Sequence, residues 1–284
     1  MRNFVVQRAP VAYRRAHGEQ WRRCASKGAI TLSDDTRYRA LARGIRILEA
    51  VAGTQGGSTV TELAELTGTD KSSVSRLVTA LVDLGMLARL ESRRIVLTGR
   101  VLNLGQGFQR QYTLGEIARP FLDELCHAVD ETVILTIRQG DYSVSVEQVD
   151  PEHPFRMVPH VGNVAPLHAT AAGRAILFAL PVGEQHRILS DLRGAPVEHP
   201  EVQLNVESWG REMELARSRG YVWMQRTDDV DRVAAVAQDR NGLPLAAVAV
   251  YGPKYRMNGR VPEVGRLARA TATKLSRAAY GVRK

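Results

Sequence analysis

The 284-residue sequence predicts an α+β chain of two domains joined by a helical linker, and three observations carry that reading. Residues 37–97 hold three helical patterns separated by glycine turns and closed by two short β-rich runs. Residues 113–284 interleave helical patterns with hairpin strands and lack βαβ regularity, the mark of a largely antiparallel sheet. Charge divides at the same place: residues 1–36 hold seven basic and three acidic side chains, residues 37–112 eleven and six, and residues 113–284 twenty-one and twenty-one. The whole net charge of +9 therefore lies in the first 112 residues and suits a polyanionic partner.

Residues 1–36 carry Arg2, Arg8, Arg14, Arg15, Arg22, Arg23 and Lys27, with only Phe4–Val6 as an apolar run. That is too short for a secretory signal, so the segment reads as a disordered basic arm. A phosphate-contacting arm and an organelle transit peptide are the alternatives. From Tyr38, Leu41, Ile45, Leu48 and Ala52 recur at helical spacing until Gly53 and the Gly56–Gly57 pair. Thr59 with Glu62 three residues on has capping-box spacing before Val60, Leu63, Ala64 and Leu66, and Gly68 stops that second helix. Asp70 is an N-cap for a third, in which Val74, Leu77, Val78 and Leu81 form the inner face as far as Gly85. Two helices across a short glycine turn make a helix-turn-helix.

The third helix leaves Lys71, Ser72, Ser73, Ser75, Arg76 and Thr79 outside or in its first turns. Short hydroxyls at a helix start approach phosphates and base edges closely, while Lys71 and Arg76 supply charge or a bidentate guanine contact. Met86–Leu90 and Ile95–Leu97 then read as a β-hairpin wing that carries Arg89, Arg93 and Arg94 towards the DNA backbone. The winged helix-turn-helix is assigned to residues 37–97 and a linker helix to residues 98–112.

In the neutral part, Leu114–Val129 reads as a helix with Ile117, Phe121, Leu122 and Leu125 inside and Pro120 offsetting its start. Thr132–Arg138 and Tyr142–Val149 form a hairpin across Gln139-Gly140-Asp141, and Phe155–Pro159 is a third strand. After a Gly162–Leu167 loop come an Ala-rich helix, Ala169–Leu180, and an amphipathic one, Leu204–Arg219. Arg232–Gln238 and Pro244–Tyr251 pair across an Asn241–Gly242 turn, and Val261–Tyr280 closes the chain as a helix.

Catalytic chemistry finds little support. The chain has no GxxxxGK[ST], HExxH, GxSxG or CxxC pattern, and Gly105-Gln-Gly107 lacks a third glycine. None of the seven histidines forms an i,i+4 pair; His153 and His160 read as loop surface, and His168 as a satisfied structural residue at a helix start. The acidic group Asp228, Asp229 and Asp231 lacks the further ligands of a calcium loop. No enzyme activity, cofactor or metal is expected. Cys24 and Cys126 are neither a disulfide framework nor a ligand set, the apolar run Ala175–Val182 is far short of a membrane span, and a reducing cytoplasm is the expected location.

The runs Arg39–Glu49, Leu63–Gly68, Lys71–Leu81, Gly99–Gly105 and, most specifically, Pro166-Leu-His-Ala-Thr-Ala-Ala-Gly-Arg174 resemble IclR-type bacterial transcriptional regulators over nearly all of residues 38–284. The resemblance implies a GAF-like effector-binding and oligomerisation domain at residues 113–284, with small organic acids bound between sheet and helices. Matched to the family, Met157, Ala171, Ala172, Ala249 and Tyr251 fall at lining positions, and His168, just before the small-residue helix, is an effector-binding candidate with them. Ala249 and Tyr251 replace two serines that the family often offers to a carboxylate. With Trp223 and Met224 on the strand after Gly220, the pocket is expected to be apolar and to favour an aromatic or bulky metabolite. The reading is thus a homodimeric or tetrameric regulator of a double-stranded operator, without membrane contact. The alternatives are a non-specific architectural DNA-binding protein and an enzyme with an appended nucleic-acid domain.

Overall fold

The computed structural model describes residues 39–111, 114–152, 161–191 and 206–282. The basic arm, Met157, the strand expected at Phe155–Pro159, and His153 and His160 lie outside these. Two compact units divide between Phe108 and Gln109, within a helix. The first contains α1 (Arg39–Ala52), α2 (Val60–Thr67), α3 (Lys71–Asp83), the antiparallel pair β1 (Leu87–Arg89) and β2 (Ile95–Leu97), and the start of α4 (Gly99–Gln111). Ile47, Val51, Leu63, Val74, Val78, Leu87 and Ile95 close its core. The face of α1 differs from the expected one. Gly44, Ile47, Ala50 and Val51 point inward, whereas Leu41 is 64 % and Ile45 48 % exposed. The core takes the stripe containing Gly44, Ile47, Ala50 and Val51, with Leu48 packed at its edge, and Leu41 and Ile45 are left on the surface.

The second unit is built on a six-stranded antiparallel sheet, ordered β5-β4-β3-β8-β7-β6: β3 (Thr132–Gln139), β4 (Tyr142–Val149), β5 (Val164–Pro166), β6 (Val222–Gln225), β7 (Val230–Gln238) and β8 (Pro244–Pro253). The expected Gly162–Leu167 loop thus contains an edge strand. α5 (Leu114–Val129) and α10 (Val261–Val282) pack on one face, and α6 (Ala171–Phe178) on the other. α7 (Val182–Asp191), α8 (Val206–Arg219), the short α9 (Lys254–Met257) and a 3₁₀ turn at Leu167–Ala169 complete the described elements. α5 continues through Pro120, which is exposed and does not offset its start. Among the described residues no helix is long and apolar enough to cross a membrane.

Candidate functional site

Local chemistry fixes the helix-turn-helix. The Thr59 Oγ1 accepts from the Glu62 N–H at 3.3 Å and the Glu62 carboxylate accepts from the Thr59 N–H at 2.7 Å, a complete capping box. Gly68 ends α2 in the left-handed region at φ 62°. Asp70 then caps α3, accepting from the Ser73 N–H at 2.8 Å and the Ser72 hydroxyl at 2.7 Å. Hydrogen bonding from Ser73 and then Ser72 holds its carboxyl well below the usual range. The cap stays charged, and at a helix N-terminus that charge is favourable.

α3 presents Lys71, Ser72, Arg76 and Thr79 exposed and Ser73 and Ser75 half-buried, with Val74 and Val78 fully buried behind them. Residues 72, 76 and 79 share one face by helical spacing. The Thr79 hydroxyl donates to the Ser75 carbonyl at 3.0 Å and accepts from Arg89 at 3.4 Å, so the first wing strand meets α3 there. At the hairpin tip the Arg93 N–H donates to the Leu90 carbonyl (2.9 Å) and the Leu90 N–H to the Arg94 carbonyl (2.8 Å). This is a three-residue loop whose left-handed position, usually glycine, holds Arg93 at φ 61°.

Arg94 has a different task from its neighbour. Its Nε donates to the Gly56 carbonyl at 2.9 Å and the Gly57 carbonyl at 3.1 Å, and its guanidinium lies 3.6 Å from the Glu62 carboxylate. The side chain expected at phosphate thus also ties the wing to the α1–α2 loop. Ser58 pairs with Ile95 in that loop, and the backbones approach so closely that a Cβ on Gly57 would lie 2.5 Å from the Ile95 carbonyl oxygen.

In the second unit the expected lining residues converge in part. Ala171, Ala172, Met224 and Ala249 are buried in one apolar cluster with Tyr251 packed against it. His168, 1 % exposed, sits in the single 3₁₀ turn before α6. Trp223 does not join them. Strand alternation turns Val222 and Met224 inward and leaves Trp223 40 % exposed on the opposite face, its indole N–H donating to Asp231 at 3.0 Å. The acids Asp228 and Asp231 likewise diverge, Asp228 pairing with Arg232. Among the described residues no three potential ligands gather around a metal position.

Arg232 was missed by the sequence reading. It lies directly opposite both Met224 and Tyr251 in the sheet, so all three share the α6 face, and its guanidinium stands 5.7 Å from the Tyr251 ring centre. It is 5 % exposed, held by two hydrogen bonds to Asp228 and one to the Val230 carbonyl at 2.9 Å. Burial raises the Asp228 carboxyl, but Arg232, Arg226 and the Val230 N–H together leave the group below its ordinary value. Burial also raises the Tyr251 hydroxyl, against the pull of Arg232 and Arg226. Arg226 donates to the Ala169 carbonyl, bringing a second guanidinium to this end of the cluster. An arginine at an inward strand position, between Val230 and Ala234, is the available signal.

His168 is not the satisfied structural residue expected from its position. Its Nδ1 is buried without a hydrogen-bond partner, and burial, with the Arg174 charge adding to it, lowers the imidazole to about 4. Arg174 itself donates to the His168 carbonyl at 2.7 Å, pairs with Glu212 and stands over the Trp209 ring. The imidazole is therefore neutral at physiological pH, with one ring nitrogen available.

Two family models match the chain: the bacterial transcriptional regulator IclR C-terminal domain over residues 109–277, and the IclR helix-turn-helix domain over residues 40–91. The chain belongs to the IclR family. The HTH-type transcriptional regulator Rv1719 of Mycobacterium tuberculosis is 33 % identical over 240 residues, covering 81 % of this chain and 89 % of that protein. The crystal structure of the Thermotoga maritima IclR matches with a TM-score of 0.68 at 25 % identity, over 84 % of this chain and 97 % of that one. An IclR homologue of Microbacterium hydrocarbonoxydans, solved with 4-hydroxybenzoate, shares the fold with a TM-score of 0.67 at 21 % identity, over 84 % and 99 %. The protein is accordingly a transcriptional regulator with a DNA-binding helix-turn-helix and a C-terminal effector domain, and not an enzyme.

Proposed function

We propose that this IclR-family regulator acts in the bacterial cytoplasm as a homodimer or tetramer that reads a specific operator, with an affinity set by an aromatic or otherwise bulky carboxylic acid. The observation that carries the acid is the Arg232–Tyr251 end of the α6 face. There the guanidiniums of Arg232 and Arg226 stand at one end of a wall of Ala171, Ala172, Met224 and Ala249. Positive charge at one end of an apolar wall fits a carboxylate at one end of an apolar ligand. The Microbacterium complex supports an aromatic occupant at the level of the fold alone.

On DNA, α3 enters the major groove, Arg76 reads a base edge, and Lys71, Ser72, Ser73, Ser75 and Thr79 place the helix. Arg89 and Arg93 contact phosphate, whereas Arg94 positions the wing. Self-association is supported by Leu41 and Ile45, whose exposed side chains lie one turn apart on α1. The acid changes operator affinity only by the difference in its binding to the DNA-competent and incompetent states. Calorimetry on the full chain tests the effector class. Benzoate or 4-hydroxybenzoate is expected to bind at least about tenfold more tightly than glyoxylate or pyruvate, a difference of ~1.4 kcal/mol; tight glyoxylate binding without aromatic binding overturns the assignment.

A further inference from the structure

A cavity of about 740 Å³ lies on the other face of the sheet, bounded by β6, the β6–β7 turn, α9 and the start of α10. Asp231 of β7 lines it and is 2 % exposed. Its carboxylate accepts one hydrogen bond, from the Trp223 indole N–H at 3.0 Å, and forms no ion pair among the described residues. A buried carboxylate with a single neutral donor retains unsatisfied acceptor positions and favours a cationic partner. Asp229 adds a second acid to the lining.

The walls include two exposed aromatic rings, Trp223 at 40 % and Tyr255 at 73 %. Arg219 and Lys254 also line the cavity, and neither enters an ion pair among the described residues; Arg219 stands 6.0 Å from the Trp223 ring centre. A simple cation would meet both of these bases, and a simple acid would meet both aspartates. A zwitterion with an apolar substituent satisfies all three parts of the lining.

We propose that this cavity binds a free α-amino acid with a large apolar side chain, its ammonium on Asp231, its carboxylate towards Arg219 and Lys254, and its side chain against Trp223 and Tyr255. The volume lies within the ~300–1,000 Å³ of small-molecule sites. Asp231 and Arg232 are strand neighbours on opposite faces, so this site is separate from the acid-binding face and stands whether or not that assignment does.

Calorimetry on the full chain with L-leucine and L-phenylalanine tests the proposal, with 4-methylpentanoate and 3-methylbutylamine as leucine analogues lacking the ammonium or the carboxylate. At least one amino acid is expected to bind, and for leucine each analogue should bind about tenfold or more weakly. Asp231→Asn keeps an acceptor for the Trp223 N–H but removes the charge, and should weaken amino-acid binding by about tenfold or more. Tyr255→Ala removes a ring that is 73 % exposed, and should weaken binding several-fold. Binding of neither amino acid at millimolar concentration, either analogue as tight as leucine, or native affinity in both variants overturns it.

Discussion

The exposed face of α3 and the α6 face of the sheet are candidate sites built in opposite ways. On α3 the side chains expected to meet DNA stand outside a core that they do not help to form, so they can be exchanged without touching Val74 or Val78. On the sheet, Ala171, Ala172, Met224 and Ala249 are core and candidate site at once. The difference teaches that specificity and stability are separable in the head and entangled in the effector domain. A further contrast lies within the head: Arg93 projects from the wing, and Arg94 holds it in place.

The largest effect should come from attacking the head's scaffold. Gly57→Ala places a Cβ 2.5 Å from the Ile95 carbonyl at φ +80°. It is expected to destabilise the head by ~2–4 kcal/mol through backbone strain and overpacking. Hydrogen exchange should show α2 and α3 losing protection while β7 and β8 keep theirs; uniform loss in both units would remove the separation drawn here. Next is a pH effect confined to the effector domain. With His168 lowered to about 4 from an unfolded value near 6.5, the unfolded chain binds the proton more readily, so stability is full above pH 6.5 and declines as pH falls towards 4. The loss should approach about 3 kcal/mol at ~1.4 kcal/mol per pKa unit, and His168→Leu should flatten it in urea titrations.

Smaller effects are expected from the DNA face. Arg76→Ala should cost ~1–3 kcal/mol on a specific operator and little on random DNA, with the fold unchanged. Equal losses on both would remove the base contact. The smallest changes separate the two wing arginines. Arg93→Gly relieves a left-handed non-glycine residue and should stabilise the head by up to ~1 kcal/mol, while lowering all DNA binding and reducing the salt slope by about one. Arg94→Ala should destabilise the head by ~1–2 kcal/mol, because the Gly56 and Gly57 carbonyls lose their donor. Identical behaviour of the two variants would contradict their distinct tasks.

How far the sequence was legible follows the same division. The capping box at Thr59, the Gly68 turn and the Asp70 cap are local chemistry, and each appears where its spacing placed it. The core stripe of α1 was misread because Ile47 and Val51, rather than Leu41 and Ile45, meet α2 and α3, a tertiary choice between two apolar faces of one helix. Trp223 and Met224 are neighbours in sequence but point to opposite faces of the strand, so only Met224 can join the apolar cluster. Arg232 escaped notice because its role depends on lying opposite Tyr251, a register set by residues nineteen positions away. The helix at Val182–Asp191 carries mixed polarity and was passed over, and the edge strand at Val164–Pro166 is too short for alternation to reveal it.

The central claim is that operator affinity is specific and is set by an acid bound on the α6 face. Its most direct test is a competition titration of the full chain on genomic fragments recovered by binding selection, with random DNA as competitor and benzoate or 4-hydroxybenzoate added stepwise. The account predicts a preference of ~10³-fold or more for the selected fragment and a saturable change in that affinity as the acid is added. In Arg232→Gln protein that keeps its fold by thermal melting, the acid's effect should be lost while the acid-free preference remains. A specificity ratio near one, or an operator affinity indifferent to the acid, would contradict it.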